Sequence, residues 1–126
     1  GERTTEGSEV LYARSHVALV ARVHGVRALD QIVPAYDDDE RYRVDAAEGR
    51  SLGYTGKLCV HPRQVPLAAA AFTPSTDAID RARRLVEHYE AALADGVGVV
   101  TFEGQMVDQP MLRHARAVLA AAGQED

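Results

Sequence analysis

Little in this 126-residue chain suits it to a membrane, an oxidising compartment or nucleic acid. A single cysteine, Cys59, can form no internal disulfide, in keeping with a reducing compartment. No apolar run approaches the roughly 20 residues that a membrane helix needs. The opening GERTTEGSE is polar and has no apolar signal-peptide core. The net charge is −5, and the 14 basic residues are scattered rather than clustered, so no phosphate-gripping patch is expected and nucleic acid is not the partner. These absences leave a soluble, cytoplasmic protein as the expectation, one domain by length and able to enclose a modest core.

What is present reads as short alternating elements. Ser8 can cap a helix from about Glu9 to His24, closed by Gly25, with Leu11, Val17, Ala18 and Ala21 among its apolar positions. Ala28, Leu29, Ile32 and Val33 then make a candidate buried strand that ends near Pro34, because proline cannot donate to a ladder. The run Asp37, Asp38, Asp39, Glu40 has the oxygen ligands a hard cation takes. It lacks the alternating spacing and central glycine of a calcium loop, and acidic residues suit the positive end of a helix dipole, so it reads as the entrance to a helix stopped by Gly53.

Gly53 to Gly56 form a turn, Lys57 to His61 a short apolar strand, and Pro62 the start of another helix. Lys57 is expected to face solvent and Cys59 to pack in the core. Strand and helix in short alternation predict β/α units around a parallel sheet, whose chemistry sits at the carboxyl ends of the strands. His61 and Pro62 fall at such an end. By residue type alone, His61 can also be a histidine satisfied by a backbone partner at a strand-to-helix junction.

Beyond Pro74 the pattern changes. Ser75 caps a long helix whose apolar stripe is Ile79, Ala82, Val86, Tyr89 and Leu93. In GVGVVTFEGQMVDQPML, Val97, Val99 and Thr101 face Gln105, Met106 and Val107 across Glu103-Gly104, which predicts a tight β-hairpin. Pro110 opens a final helix with Met111, Leu112, Ala115, Val118, Leu119 and Ala122 on its apolar face, and Gln124 to Asp126 fray. Asp108 stands between hairpin and helix, where a carboxylate is either a cap or a reagent.

Four stretches, VLYARSHVALVARVHGVRALD, GYTGKLCVHPRQV, AFTPSTDAIDRARRLV and FEGQMVD, occur in the order and at about the spacing seen in the citrate lyase beta-subunit-like family of the HpcH/HpaI aldolase superfamily. The chain resembles that family from about Val10 to Gly123. The resemblance implies an α/β fold, the C-terminal part of a TIM (β/α)8 barrel over residues 1–74 followed by a helix-hairpin-helix extension over residues 75–126. It implies a Mg²⁺-dependent carbon-carbon lyase acting on citryl-, citramalyl- or malyl-CoA, although some members hydrolyse a CoA thioester instead. Asp108 matches the family's catalytic Asp, which works in a neighbouring subunit of a homo-oligomer, a trimer or hexamer. His61 and Pro62 match a VHP motif lining the CoA-thioester pocket. The family has an acidic residue just before the aromatic at the strand end where this chain has Ala35 ahead of Tyr36, so binding contacts do not carry over in that loop.

A (β/α)8 barrel takes eight strands and typically ~250 residues. Two barrel strands are legible here, and the Glu and Asp that hold Mg²⁺ and the Arg that holds the substrate carboxylate in the family have no counterparts in this sequence, so no metal ligand is assigned. The expectation is a fragment or one chain of a split enzyme, completed by a complementary N-terminal half. The alternative is a non-catalytic half-barrel that serves as an assembly or CoA-binding module.

Overall fold

A computed structural model describes residues 4, 6–96 and 100–123. They form two compact units, Gly1–Phe72 and Thr73–Asp126. Within the first unit the order is α1 (Ser8–Val23), β1 (Leu29–Asp30), α2 (Asp39–Leu52), β2 (Gly56–Lys57), a 3-10 turn (Pro62–Gln64) and α3 (Val65–Phe72). β1 and β2 pair in parallel, Leu29 beside Gly56 and Asp30 beside Lys57. Parallel neighbours joined through a helix are the β/α unit that the alternation predicted.

Local signals account for most boundaries. Asp38 caps α2 by accepting the Arg41 N–H at 3.0 Å, so the acidic run is a helix entrance, and Gly53 ends α2 at φ 106°. Ser8 is not a cap. It is the first helical residue, preceded by Gly7 in the left-handed region, and the entrance is held by the Glu9 carboxylate, which accepts the Thr4 N–H at 3.0 Å and hydroxyl at 2.6 Å.

β1 is shorter than its apolar pattern suggests. Lys57 Nζ takes the Gln31 carbonyl at 2.8 Å, and the Gln64 amide takes the Val33 carbonyl at 2.9 Å. Side chains therefore hold the backbone that a longer strand would have placed in a ladder.

Asp30 and Lys57 turn towards the helices, and the alternation of a strand sends Leu29 and Leu58 to the other face. Leu29 is 56 % and Leu58 48 % exposed, so the apolar side of this two-stranded sheet lies open while its charged side is covered. The unit's apolar packing is modest: Ala18, Ala21, Ala28 and Tyr54 form one cluster, and Val33, Tyr42 and Ala46 another. Gly49 lets α2 approach β1, since a Cβ there would overlap the Asp30 carboxylate. Gly49→Ala should lower folding stability by about 1–3 kcal/mol in urea titrations, the usual cost of overpacking a pinned site.

The second unit runs α4 (Thr76–Ala94), β3 (Val100–Phe102), β4 (Gln105–Val107) and α5 (Gln109–Ala121). Ser75 Oγ accepts the Ala78 N–H at 3.2 Å, the cap expected of it. The buried stripe is Ala82, Leu85 and Tyr89, packed with Val100, Val107, Leu112 and Ala115; Leu93 is half exposed, so the stripe lies one position from its expected centre. β3 and β4 pair antiparallel, Phe102 opposite Gln105, across Glu103 at φ 50° and Gly104 at φ 78°. Two consecutive positive φ values are the two-residue turn whose twist matches a hairpin. Glu103 tolerates that conformation while held by Arg81 at 2.7 Å and Arg84 at 3.3 Å. Val97, Val99 and the tail from Gln124 to Asp126 lie outside the described residues.

Candidate active site

Three places carry chemistry, and the first is a buried ion network that the sequence reading misjudged. Lys57 does not face solvent: its side chain is 0 % exposed, as is that of Asp30. Its ammonium donates to Asp30 Oδ2 at 2.9 Å, to the Gln31 carbonyl at 2.8 Å and to Asp45 Oδ2, which satisfies all three of its hydrogens. Arg14 clasps the same carboxylate through Nε at 3.1 Å and Nη2 at 2.8 Å, and its Nη1 reaches Glu48 at 2.7 Å. The correction has a physical reason, since strand alternation that places Asp30 under the helices places its parallel neighbour Lys57 there too. The signal was one acid and one base, each set in an otherwise apolar stretch.

Burial alone would push the Asp30 carboxyl up, but hydrogen bonds from Arg14 and Lys57 outweigh it and hold the group below the usual carboxylate range. A depressed folded-state pKa means stability that is present above the unfolded value of about 4 and lost as pH falls through the folded one. The thermal midpoint should therefore drop on acidification below about pH 4. An Asp30→Asn protein should start lower and lose less over the same interval; equal acid losses in the two proteins would contradict this.

The second place is the carboxyl end of β1 and β2. His61 lies in extended backbone, and its Nδ1 accepts the Arg63 N–H at 3.1 Å across the turn that Pro62 begins. A neutral ring in this arrangement carries its proton on Nε2. The His61 and Tyr36 rings lie 4.9 Å apart, tilted by 32°. Arg63 pairs with Asp39 at 2.9 Å, which joins the same rim to the entrance of α2. Cys59, expected in the core, is exposed, with Sγ 3.2 Å from the hydroxyl of the buried Tyr42. A cavity of about 310 Å³ opens beside Gln31 to Pro34, with Arg41 and Asp45 in its wall.

Gln64 was missed by the sequence reading and is 1 % exposed. Its Oε1 accepts the Val60 N–H at 2.8 Å while its Nε2 donates to the Val33 carbonyl at 2.9 Å, so one side chain ties the segments following the two strands.

The third place belongs to the other unit. Asp108 precedes α5 in extended backbone, is exposed, and accepts the Met111 N–H through Oδ1 at 3.0 Å. Its other oxygen accepts no hydrogen bond among the described residues. The neighbouring Gln109 is fastened to Tyr89 at 3.0 Å, so the hairpin-to-helix junction is braced against α4.

A magnesium ion does not fit these residues by themselves. Among the described residues no three His, Cys, Asp or Glu side chains converge to hold a metal, and Asp30 and Asp45 give their oxygens to Arg14 and Lys57. Nor is any helix among them long and apolar enough to cross a membrane.

Comparison with known proteins agrees with the fold and extends it. The family model described as HpcH/HpaI aldolase/citrate lyase matches residues 1–62. A citrate lyase subunit beta-like protein of Deinococcus radiodurans is 55 % identical over 120 residues, which is 95 % of this chain and 42 % of that protein. The citrate lyase subunit beta of Escherichia coli K12 is 39 % identical over 121 residues, 96 % of this chain and 40 % of that protein. The crystal structure of CitE from Mycobacterium tuberculosis, in complex with magnesium, acetoacetate and coenzyme A, superposes with a TM-score of 0.77 at 32 % identity, over 98 % of this chain and 46 % of that one. The chain thus spans about two fifths of the length of the curated relatives it matches. Its α/β units are the C-terminal part of a TIM-barrel-like fold, and the chain is similar to proteins of the HpcH/HpaI aldolase/citrate lyase family.

Proposed function

We propose that this chain is part of an acyl-CoA carbon-carbon lyase, with residues 1–74 supplying the last β/α units of the barrel and residues 75–126 an extension whose Asp108 acts in a neighbouring subunit. The observation that carries the reading is Asp108: an exposed carboxylate with one oxygen uncommitted among the described residues, on a braced hairpin-to-helix junction of a separate compact unit. A short rigid turn can enter another subunit's cavity without inserting a whole domain. The open face at Leu29 and Leu58 and, among the described residues, the pairing of β1 with β2 alone suit completion by further β/α units. Mg²⁺ would be held by residues outside this chain.

The substrate is a 3-hydroxyacyl-CoA of the citryl, citramalyl or malyl type. In cleavage, the bond between the thioester's α-carbon and the hydroxyl-bearing carbon breaks, and its electron pair passes into the enolate of the departing acyl-CoA. The hydroxyl proton leaves to a base as the carbonyl of the keto acid forms, and the Asp108 carboxyl returns a proton to the enolate carbon. His61, beyond the carboxyl end of β2, would donate from Nε2–H to the thioester oxygen, where charge develops in the enolate; the Nδ1 that accepts the Arg63 N–H supports this reading. Pro62 fixes the turn that presents it.

The test is turnover. The longer polypeptide containing these residues, with Mg²⁺, should release acyl-CoA and a keto acid from at least one of citryl-, citramalyl- and malyl-CoA, and its mass in solution should be that of a homo-oligomer. Thioester hydrolysis without carbon-carbon cleavage would shift the reading to a hydrolase, with Asp108 orienting water. No turnover of any of the three would leave the second reading, a half-barrel assembly or CoA-binding module, which the cap hydrogen bond from Met111 to Asp108 favours.

A further inference from the structure

We infer that Gln64 is a positioning residue of the proposed CoA-thioester site, acting through the two strand-end segments that carry Tyr36 and His61. The inference rests on the lyase reading and deepens it. After Asp30 and Lys57 the parallel ladder has one further bond, Leu58 N–H to the Asp30 carbonyl at 3.1 Å, and then stops. Past that point the segments are tied by a side chain, Val60 N–H to Gln64 Oε1 and Gln64 Nε2 to the Val33 carbonyl. Val33 lies three residues before Tyr36, and Val60 immediately precedes His61. The amide thus sets the spacing over which the two rings meet at 4.9 Å.

Its chemistry is specific to an amide. One end must accept a backbone N–H and the other must donate to a backbone carbonyl, and burial excludes water as a substitute for either. An ionised carboxylate in the same place accepts but cannot donate, whereas a protonated carboxyl does both. Gln64 does not itself reach the rim, being 1 % exposed, while His61, Pro62 and Arg63 beside it are exposed. That burial makes it a positioning residue rather than a catalytic one.

The experiment compares the wild-type longer polypeptide with its Gln64→Met and Gln64→Glu variants, measuring CoA affinity by calorimetry and kcat and KM with the cleaved thioester across pH 5.5–8.5. Gln64→Met should weaken CoA binding and raise KM by at least about tenfold at every pH, since small displacements of positioned groups are costly. Gln64→Glu should behave like Gln64→Met at high pH and approach wild type as pH falls and the introduced carboxyl protonates. A merely structural role would lower the melting temperature of both variants and leave the folded enzyme's KM, and its pH dependence, at wild-type values; that result overturns the inference alone. A wild type that neither binds CoA nor cleaves any thioester removes the lyase reading and this inference with it.

Discussion

Replacing Lys57 by methionine is expected to cost about 3–5 kcal/mol of folding stability, the typical loss when one member of a buried ion pair is removed and the other charge stays behind. Methionine keeps much of the apolar stem and removes the ammonium. Asp30, with a fully buried side chain, would keep Arg14 as its cation, and Asp45 would lose its closest one. The Gln31 carbonyl would lose the Lys57 ammonium as well, weakening the hold on the segment that follows β1. Lys57→Arg should not restore stability, because a planar fork cannot meet three acceptors that converge on one point. Arg63→Ala provides the contrast, since it breaks an exposed, solvent-screened pair with Asp39 and should leave stability almost unchanged. Urea midpoints of the three variants check this, and a Lys57→Met loss no larger than that of Arg63→Ala would show that the network contributes little.

The residues that were legible in the sequence are those whose structure depends on near neighbours. Asp38 and Ser75 cap the helices that follow them, and Gly53 ends α2, because capping is decided within three or four positions. The turn at Glu103-Gly104 was legible for the same reason. Lys57 was not, because its partners lie 27 and 12 positions away and local pattern says nothing of which charged residues share a buried face. The length of β1 was misread for a related reason: Gln64, from beyond β2, takes the Val33 carbonyl, a contact between residues 31 positions apart. At the site, the strand expected over Lys57 to His61 ends at Lys57, so His61 and Pro62 follow it by a short loop that Gln64 holds at Val60, and Tyr36 and Gln64 join them only through the fold.

The second large effect concerns Asp108. Asp108→Asn should lower lyase turnover by about 10²–10⁴-fold, the range lost with a positioned acid or base. It should leave folding stability almost unchanged, because asparagine accepts the Met111 N–H as well as aspartate does. Asp108→Ala should match it in turnover and also lose about 1 kcal/mol of stability, the usual worth of a cap. Stability and turnover therefore separate the carboxylate's two roles. If Asp108→Asn cleaves thioester at the wild-type rate, the residue is a cap and nothing more.

That the carboxylate of one chain works in the cavity of another is tested most directly by mixing. Asp108→Asn subunits, lacking the acid, and His61→Ala subunits, defective at the strand-end rim, would be co-expressed and purified as mixed oligomers. Sites pairing an intact rim from one chain with an intact hairpin from the other should cleave acyl-CoA well above the level of either parent. A mixture no more active than the average of its parents would place both residues in a single chain's site, or Asp108 in none, and would contradict the account.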